Sequence, residues 1–155
     1  MADLSDILQP EAVEAALAVT SKKGLFQQLA AAGARVTGLE QRDILAAIAE
    51  REKTGSTGFG GGVAIPHGKL AALTRISGYF VRLSGPIQYQ AVDLMPVDLV
   101  FLLLSPPDAG ADHLKALARV SRSLRDKQVR AKLRGARSKD AIYAVLTGAE
   151  THDAA

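Results

Sequence analysis

The sequence predicts an α/β protein, a single three-layer α/β/α domain around a small mixed β-sheet. Three observations carry that reading. The run Val97-Asp-Leu-Val-Phe-Leu-Leu-Leu104 is nearly all apolar, the composition of a central strand covered on both faces. Amphipathic helical patterns lie before and after the strand segments, so helices can cover the sheet from both ends of the chain. No linker or internal repeat divides the 155 residues, a length that buries one sizeable core.

Leu4-Ser-Asp-Ile-Leu8 reads as a helical turn ahead of Pro10. Residues 14–19 are read as a first strand, although their alanines favour helix, because Thr20-Ser21 marks a fresh start. Ser21 is the expected N-cap of a helix through about Ala34, with Leu25, Phe26, Leu29 and Ala32 as its apolar stripe and Gly33 as its stop. A second helix is expected from about Leu39 to Lys53, with Ile44, Leu45, Ile48 and Ala49 facing inward. Gly55 to Gly62 holds five glycines in eight residues and is expected to be loop. Val63 to Ile65 follows as a short strand ended by His67, then Ile76 to Leu83 and Val97 to Leu104, the last stopped by Ser105-Pro-Pro. Helices are expected at about 111–125, 126–134 and 138–147, giving a domain over 1–148 and a loose tail over 149–155.

Composition removes several chemistries. The chain has no cysteine, so disulfides, thiolate zinc sites, iron–sulfur clusters and thiol catalysis are excluded. His67, His113 and His152 show no ligand spacing, so no metal or other cofactor is expected. The N-terminus lacks a basic leader region and no run approaches 18 apolar residues. A soluble, cytoplasmic protein without membrane insertion is therefore expected. Ten Lys/Arg against the single carboxylate Asp126 lie between Lys115 and Lys139. A solvated helical face accounts for this run, and docking of an acidic protein partner is the sharper reading. The run holds no aromatic side chain for base stacking, so no nucleic acid is expected.

The chemistry is concentrated in Thr57-Gly-Phe-Gly-Gly-Gly-Val-Ala-Ile-Pro-His-Gly-Lys69. The glycines do not form a dinucleotide fingerprint, because the order is helix–loop–strand and the Gly-x-Gly-x-x-Gly spacing fails. No Walker loop and no Gly-x-Ser-x-Gly elbow occurs either. What remains is His67 near a glycine loop, with Arg51 at the end of the preceding helix. Backbone N–H groups of Gly58, Gly60 and Gly62, with the hydroxyls of Ser56 and Thr57, could form an anion-binding concavity. Arg51 could fork onto two phosphoryl oxygens, and neutral imidazole is a competent nucleophile. On placement alone the bland readings come first: His67 as a turn residue, Arg51 as a surface ion-pair partner of Glu50 or Glu52, and Ser56 and Thr57 as loop hydrogen-bonders.

Gly55-Ser-Thr-Gly-Phe-Gly-Gly-Gly-Val-Ala-Ile-Pro-His-Gly68, within the longer segment Glu52 to Gly68, resembles the phosphorylation site of fructose/mannitol-type enzyme IIA of the bacterial phosphoenolpyruvate-dependent phosphotransferase system. Arg51-Glu-Lys-Thr-Gly-Ser-Thr-Gly58 and Ile65-Pro-His-Gly-Lys-Leu70 resemble its nitrogen-regulatory branch, and the likeness extends over about residues 3–147. The resemblance implies that His67 accepts a phosphoryl group at Nε2 from a histidine phosphocarrier. It also implies that Arg51 accompanies the phosphohistidine and that His113, in Asp112-His-Leu-Lys-Ala-Leu117, is a hydrogen-bonding neighbour. It supports the strand over 14–19 as well, and it leaves His152 without a role. Targets implied for the branch are potassium-transport regulators and stringent-response enzymes. A sugar-specific enzyme IIA passing phosphate to a separate IIB component is the alternative. The absence of cysteine, of a membrane span and of room for IIB or IIC domains favours a stand-alone regulator.

Overall fold

The computed structural model describes residues 3–149. Its elements are β1 (Val13–Leu17), α1 (Lys22–Thr37), α2 (Gln41–Lys53), β2 (Gly58–Gly60), β3 (Val63–Ala64), β4 (His67–Lys69), β5 (Ser77–Ile87), β6 (Val97–Ser105), α3 (Ala111–Arg125), α4 (Lys127–Gly135) and α5 (Lys139–Thr147). The strands form one mixed sheet in the order β1-β5-β6-β3-β2, with β4 continuing along the same edge of β6 beyond β3. β1 runs parallel to β5, β5 antiparallel to β6, and both β3 and β4 parallel to β6.

β6 is the centre, as its composition requires: every residue except Asp98 is buried. Its pleat divides the layers. Leu102 and Leu104 face α1, close enough that a Cβ added at Gly33 would lie 3.4 Å from each. Arg82 of β5 pairs with Leu99 and points to the opposite side, where its guanidinium donates to the carbonyls of Leu133 and Ala136 at the end of α4. That cation at a helix C-terminus closes orphan carbonyls and suits the local dipole. The three-layer α/β/α domain is therefore present.

Local signals explain most boundaries. Ser21, Asp126 and Ser138 cap α1, α4 and α5 through their side-chain oxygens. Leu8 N–H bonds Leu4 C=O at 2.9 Å, giving the expected turn, and Leu4 N–H then bonds Leu146 C=O to tie the chain start to α5.

Four expectations are corrected. α1 passes through Gly33 and ends at Gly38, whose φ of 77° supplies the left-handed cap. Gly33 serves packing instead, since Ile44 of α2 would sit 3.2 Å from a Cβ there. β1 lies one residue earlier at its start and two earlier at its end than expected. The glycine segment is not all loop, because Gly58–Gly60 pairs antiparallel with β3. His67 opens β4 where it was expected to end a strand. The expected tail, apart from Ala149, lies outside the described residues.

Candidate phosphoryl-transfer site

α2 and β4 meet closely because Gly68 has no side chain. A Cβ there would stand 3.0 Å from the Ala47 Cβ and 3.3 Å from its carbonyl carbon. Arg51 lies four residues after Ala47, one helical turn on, and so arrives beside His67. The side chain after histidine thus decides whether the arginine can reach it.

His67 is held at both ring nitrogens. Nδ1 lies 2.8 Å from Ile65 C=O, a group that only accepts, so Nδ1 carries the proton and donates it. Nε2 then carries the lone pair, and Arg51 Nε–H donates to it at 3.2 Å. Arg51 is braced in turn, donating from Nη1 to Thr54 Oγ1 at 3.0 Å and to Gly55 C=O at 2.9 Å. Both contacts describe neutral imidazole with Nε2 as the nucleophilic atom. Burial depresses the His67 pKa, and the Arg51 charge lowers it further against the opposing effects of the Ile65 carbonyl and Glu52.

His113, in the first turn of α3, faces His67 with ring centroids 5.6 Å apart and planes tilted by 47°. Its Nδ1 lies 2.6 Å from Oγ of Ser105, a fully buried hydroxyl at the end of β6. That contact turns the other ring nitrogen of His113 away from Ser105 and leaves it available to a group in the cleft. Burial lowers the His113 pKa, with the neighbouring His67 and Lys69 adding to the shift. The cleft has a volume of about 520 Å³ and is lined by Ala47, Arg51, Thr54, His67, Lys69 and His113 among others. It joins a neutral nucleophile to the cations Arg51 and Lys69, a field suited to a phosphoryl dianion.

The sequence-derived phosphate loop does not assemble around His67. Thr57 donates its hydroxyl to Glu52 Oε1 at 2.5 Å and its N–H to Glu52 Oε2 at 2.9 Å. Ser56 Oγ accepts from Gly58 N–H. Gly58 packs against Tyr89 and Ala91. Gly60 and Gly62, at φ of 112° and 82°, form a turn beside Asp93, Asp98 and Arg134. Gly62 C=O meets the N–H of Asp98 and Leu99, whereas His67 pairs with Leu103. Four residues of strand, roughly 13 Å, separate those positions. The glycines shape a turn at the other end of β6, because glycine's tolerance of positive φ serves a tight turn as readily as an anion nest.

The basic run is likewise partly structural. Arg119 pairs with Asp6, Arg134 with Asp98, and Arg130 donates to the carbonyls of Leu124 and Arg125. Ser105 and Glu52 are the residues that sequence reading passed over. The first read as a strand stop and the second as a surface acid, and only tertiary contacts reveal either role.

Residues 6–149 match the sequence model of the family described as "Phosphoenolpyruvate-dependent sugar phosphotransferase system, EIIA 2". The chain belongs to this family. A nitrogen regulatory protein from Bradyrhizobium diazoefficiens is 53% identical over 143 residues, covering 92% of this chain and 94% of the relative. The nitrogen regulatory protein of Escherichia coli K12 is 40% identical, covering 95% of this chain and 91% of its own length. Among solved structures, nitrogen regulatory protein IIA-Ntr from Neisseria meningitidis superposes with a TM-score of 0.87 at 36% identity, over 92% of this chain and 97% of that one. Family membership makes this a phosphotransferase-system protein of the enzyme IIA type. No described helix is long and apolar enough to cross a membrane.

The depressed histidine pKa values give a pH prediction. Between the ordinary value of 6.5 and the lower folded value, the unfolded chain binds more protons than the folded one. Stability should therefore fall as the pH drops from 6.5 through the folded pKa, and the acid limb of phosphoryl uptake should lie below 6.5. NMR titration of the His67 ring, alongside urea midpoints and uptake rates across mildly acidic pH, checks both. A His67 midpoint at or above 6.5 contradicts the account.

Proposed function

We propose that this protein is a phosphohistidine carrier that regulates target proteins by its phosphorylation state. His67 Nε2 takes the phosphoryl group from a histidine phosphocarrier. The carrying observation is the division of labour at the His67 ring, where Ile65 C=O holds the Nδ1 proton and leaves the Nε2 lone pair facing the cleft.

The Nε2 lone pair attacks phosphorus in line, a new N–P bond forms, and the donor's N–P bond breaks with its electron pair returning to the donor nitrogen. The Nδ1 proton stays with His67, shared with Ile65 C=O. Arg51 Nε–H, which meets the Nε2 lone pair at rest, turns to a phosphoryl oxygen once that lone pair is used. His113 donates a second hydrogen bond from the ring nitrogen that Ser105 does not engage. Neutralising charge on the equatorial oxygens is the main task in such a transfer. Phosphorylation then adds about 1.5–2 negative charges to a cationic cleft, enough to change which partner surface fits.

Relatives that carry the name nitrogen regulatory protein support the regulatory branch, in which potassium-transport regulators and stringent-response enzymes are the expected targets. The cytoplasm, where a phosphocarrier circulates, is the proposed location. The test is onward transfer. Phosphorylated protein mixed with fructose- or mannitol-type IIB domains should keep its phosphoryl group, yet exchange it with the phosphocarrier. Rapid donation to a IIB domain overturns the regulatory reading in favour of sugar transport.

A further inference from the structure

Arg51 and Glu52 are adjacent at the end of α2, and their side chains leave the helix in different directions. Arg51 goes directly to Nε2 of His67. Glu52 points inward, with its side chain only 9% exposed, and meets Lys22 Nζ of α1 at 2.8 Å. Its carboxylate also receives both donors of Thr57, as described above. Since the single hydroxyl proton of Thr57 goes to Glu52, the fully buried Tyr89 donates its own to the nearer acceptor, Thr57 Oγ1 at 2.7 Å, with Glu52 Oε1 farther off at 3.4 Å. Burial by itself would raise the Glu52 carboxyl pKa. The hydrogen bonds from Lys22 and Thr57 outweigh that and hold it below its ordinary value, so it is the ionised acceptor these donors require.

Thr57 is not an end point. Its carbonyl accepts from Ile65 N–H at 3.0 Å, and Ile65 C=O is the group that holds the Nδ1 proton of His67. One continuous path therefore runs from Glu52 through Thr57 and Ile65 to His67. We propose that Glu52 is a positioning residue that fixes the His67 tautomer through Thr57 and Ile65, leaving Nε2 unprotonated for phosphoryl transfer. Consecutive helix residues then govern the two nitrogens of one ring, Arg51 at Nε2 by contact and Glu52 at Nδ1 by relay. An unrestrained imidazole favours a proton on Nε2, which would remove the nucleophilic lone pair. The relay opposes that preference. Its consequence for transfer rests on the function proposed above, but its effect on the tautomer does not.

The test is nitrogen NMR of histidine-labelled, unphosphorylated protein, comparing wild type with Glu52→Gln and Thr57→Val. Wild type should show His67 predominantly as the Nδ1–H form. Glu52→Gln should shift the ring toward the Nε2–H form, and Thr57→Val should do so less, since it keeps the backbone donor. Arg82→Gln, which loosens the far end of the domain, controls for general destabilisation and should leave the His67 tautomer unchanged. With a phosphocarrier donor, Glu52→Gln should lower the transfer rate at saturating donor roughly tenfold or more with little change in the donor KM. A tautomer shift without any phosphoryl uptake, in wild type as in variants, would sustain the relay and sink the proposed function instead. Folded Glu52→Gln with a wild-type tautomer overturns the inference. If that variant does not fold, an unshifted Thr57→Val overturns it.

Discussion

Replacing His67 by alanine is expected to abolish phosphoryl uptake, the largest effect of any single substitution in this chain. No other described side chain offers the same combination of a neutral nitrogen lone pair, an open cleft and two cations. His113 is the nearest substitute, but it is buried and its Nδ1 is engaged by Ser105. Removal of the His67 ring should leave the fold intact, because the ring is only partly buried at the start of β4. Incubation with phosphoenolpyruvate, enzyme I and a nitrogen-branch phosphocarrier, followed by assay of acid-labile phosphate, reads the result. Uptake that persists in His67→Ala would assign the nucleophile elsewhere.

The second large effect is expected at Arg51. Its removal takes away a charge-assisted contact to the developing phosphoryl oxygens, worth on the order of 1.5–3 kcal/mol, or roughly ten- to a hundredfold in rate. It also frees the Nε2 lone pair, so the net loss in Arg51→Ala should fall short of that in His67→Ala. Lysine is a poor replacement, because the bracing contacts to Thr54 and Gly55 come from a second guanidinium nitrogen that lysine lacks. Stopped-flow transfer from phosphocarrier would measure this, and unchanged kinetics would remove Arg51 from the site.

The sequence carried the layer architecture because its signals were local and mutually consistent. β6 announced itself as a doubly covered strand by an unbroken apolar run, and Ser21 and Ser138 stood at the caps they occupy. The pairing of His67 with Arg51 was legible in the spacing of helix end and strand, and with His113 through family resemblance. Gly33 misled because glycine serves equally as a helix stop or as a point of close approach, and only the partner Ile44 decides between them.

The glycine segment misled for the same kind of reason. Its positive φ angles form a turn, and whether that turn lies beside His67 depends on the register of β3 and β4 along β6, which no local pattern encodes. Ser105 and Glu52 were invisible as site residues because their partners lie 8 and 5 positions away or on the neighbouring helix α1. The prolines after Ser105 and the mixed charges around Glu52 gave each a sufficient bland explanation. Hydrogen bonds to buried side chains are the least legible part of such a site.

The central claim is that the phosphoryl group bonds to Nε2 of His67. Phosphorus–nitrogen correlated NMR of the phosphorylated, histidine-labelled protein tests it most directly. The account predicts one phosphohistidine signal, at His67, with phosphorus coupled to Nε2 and the proton retained on Nδ1. Phosphorus bonded to Nδ1 of His67, or to any other residue, would contradict it.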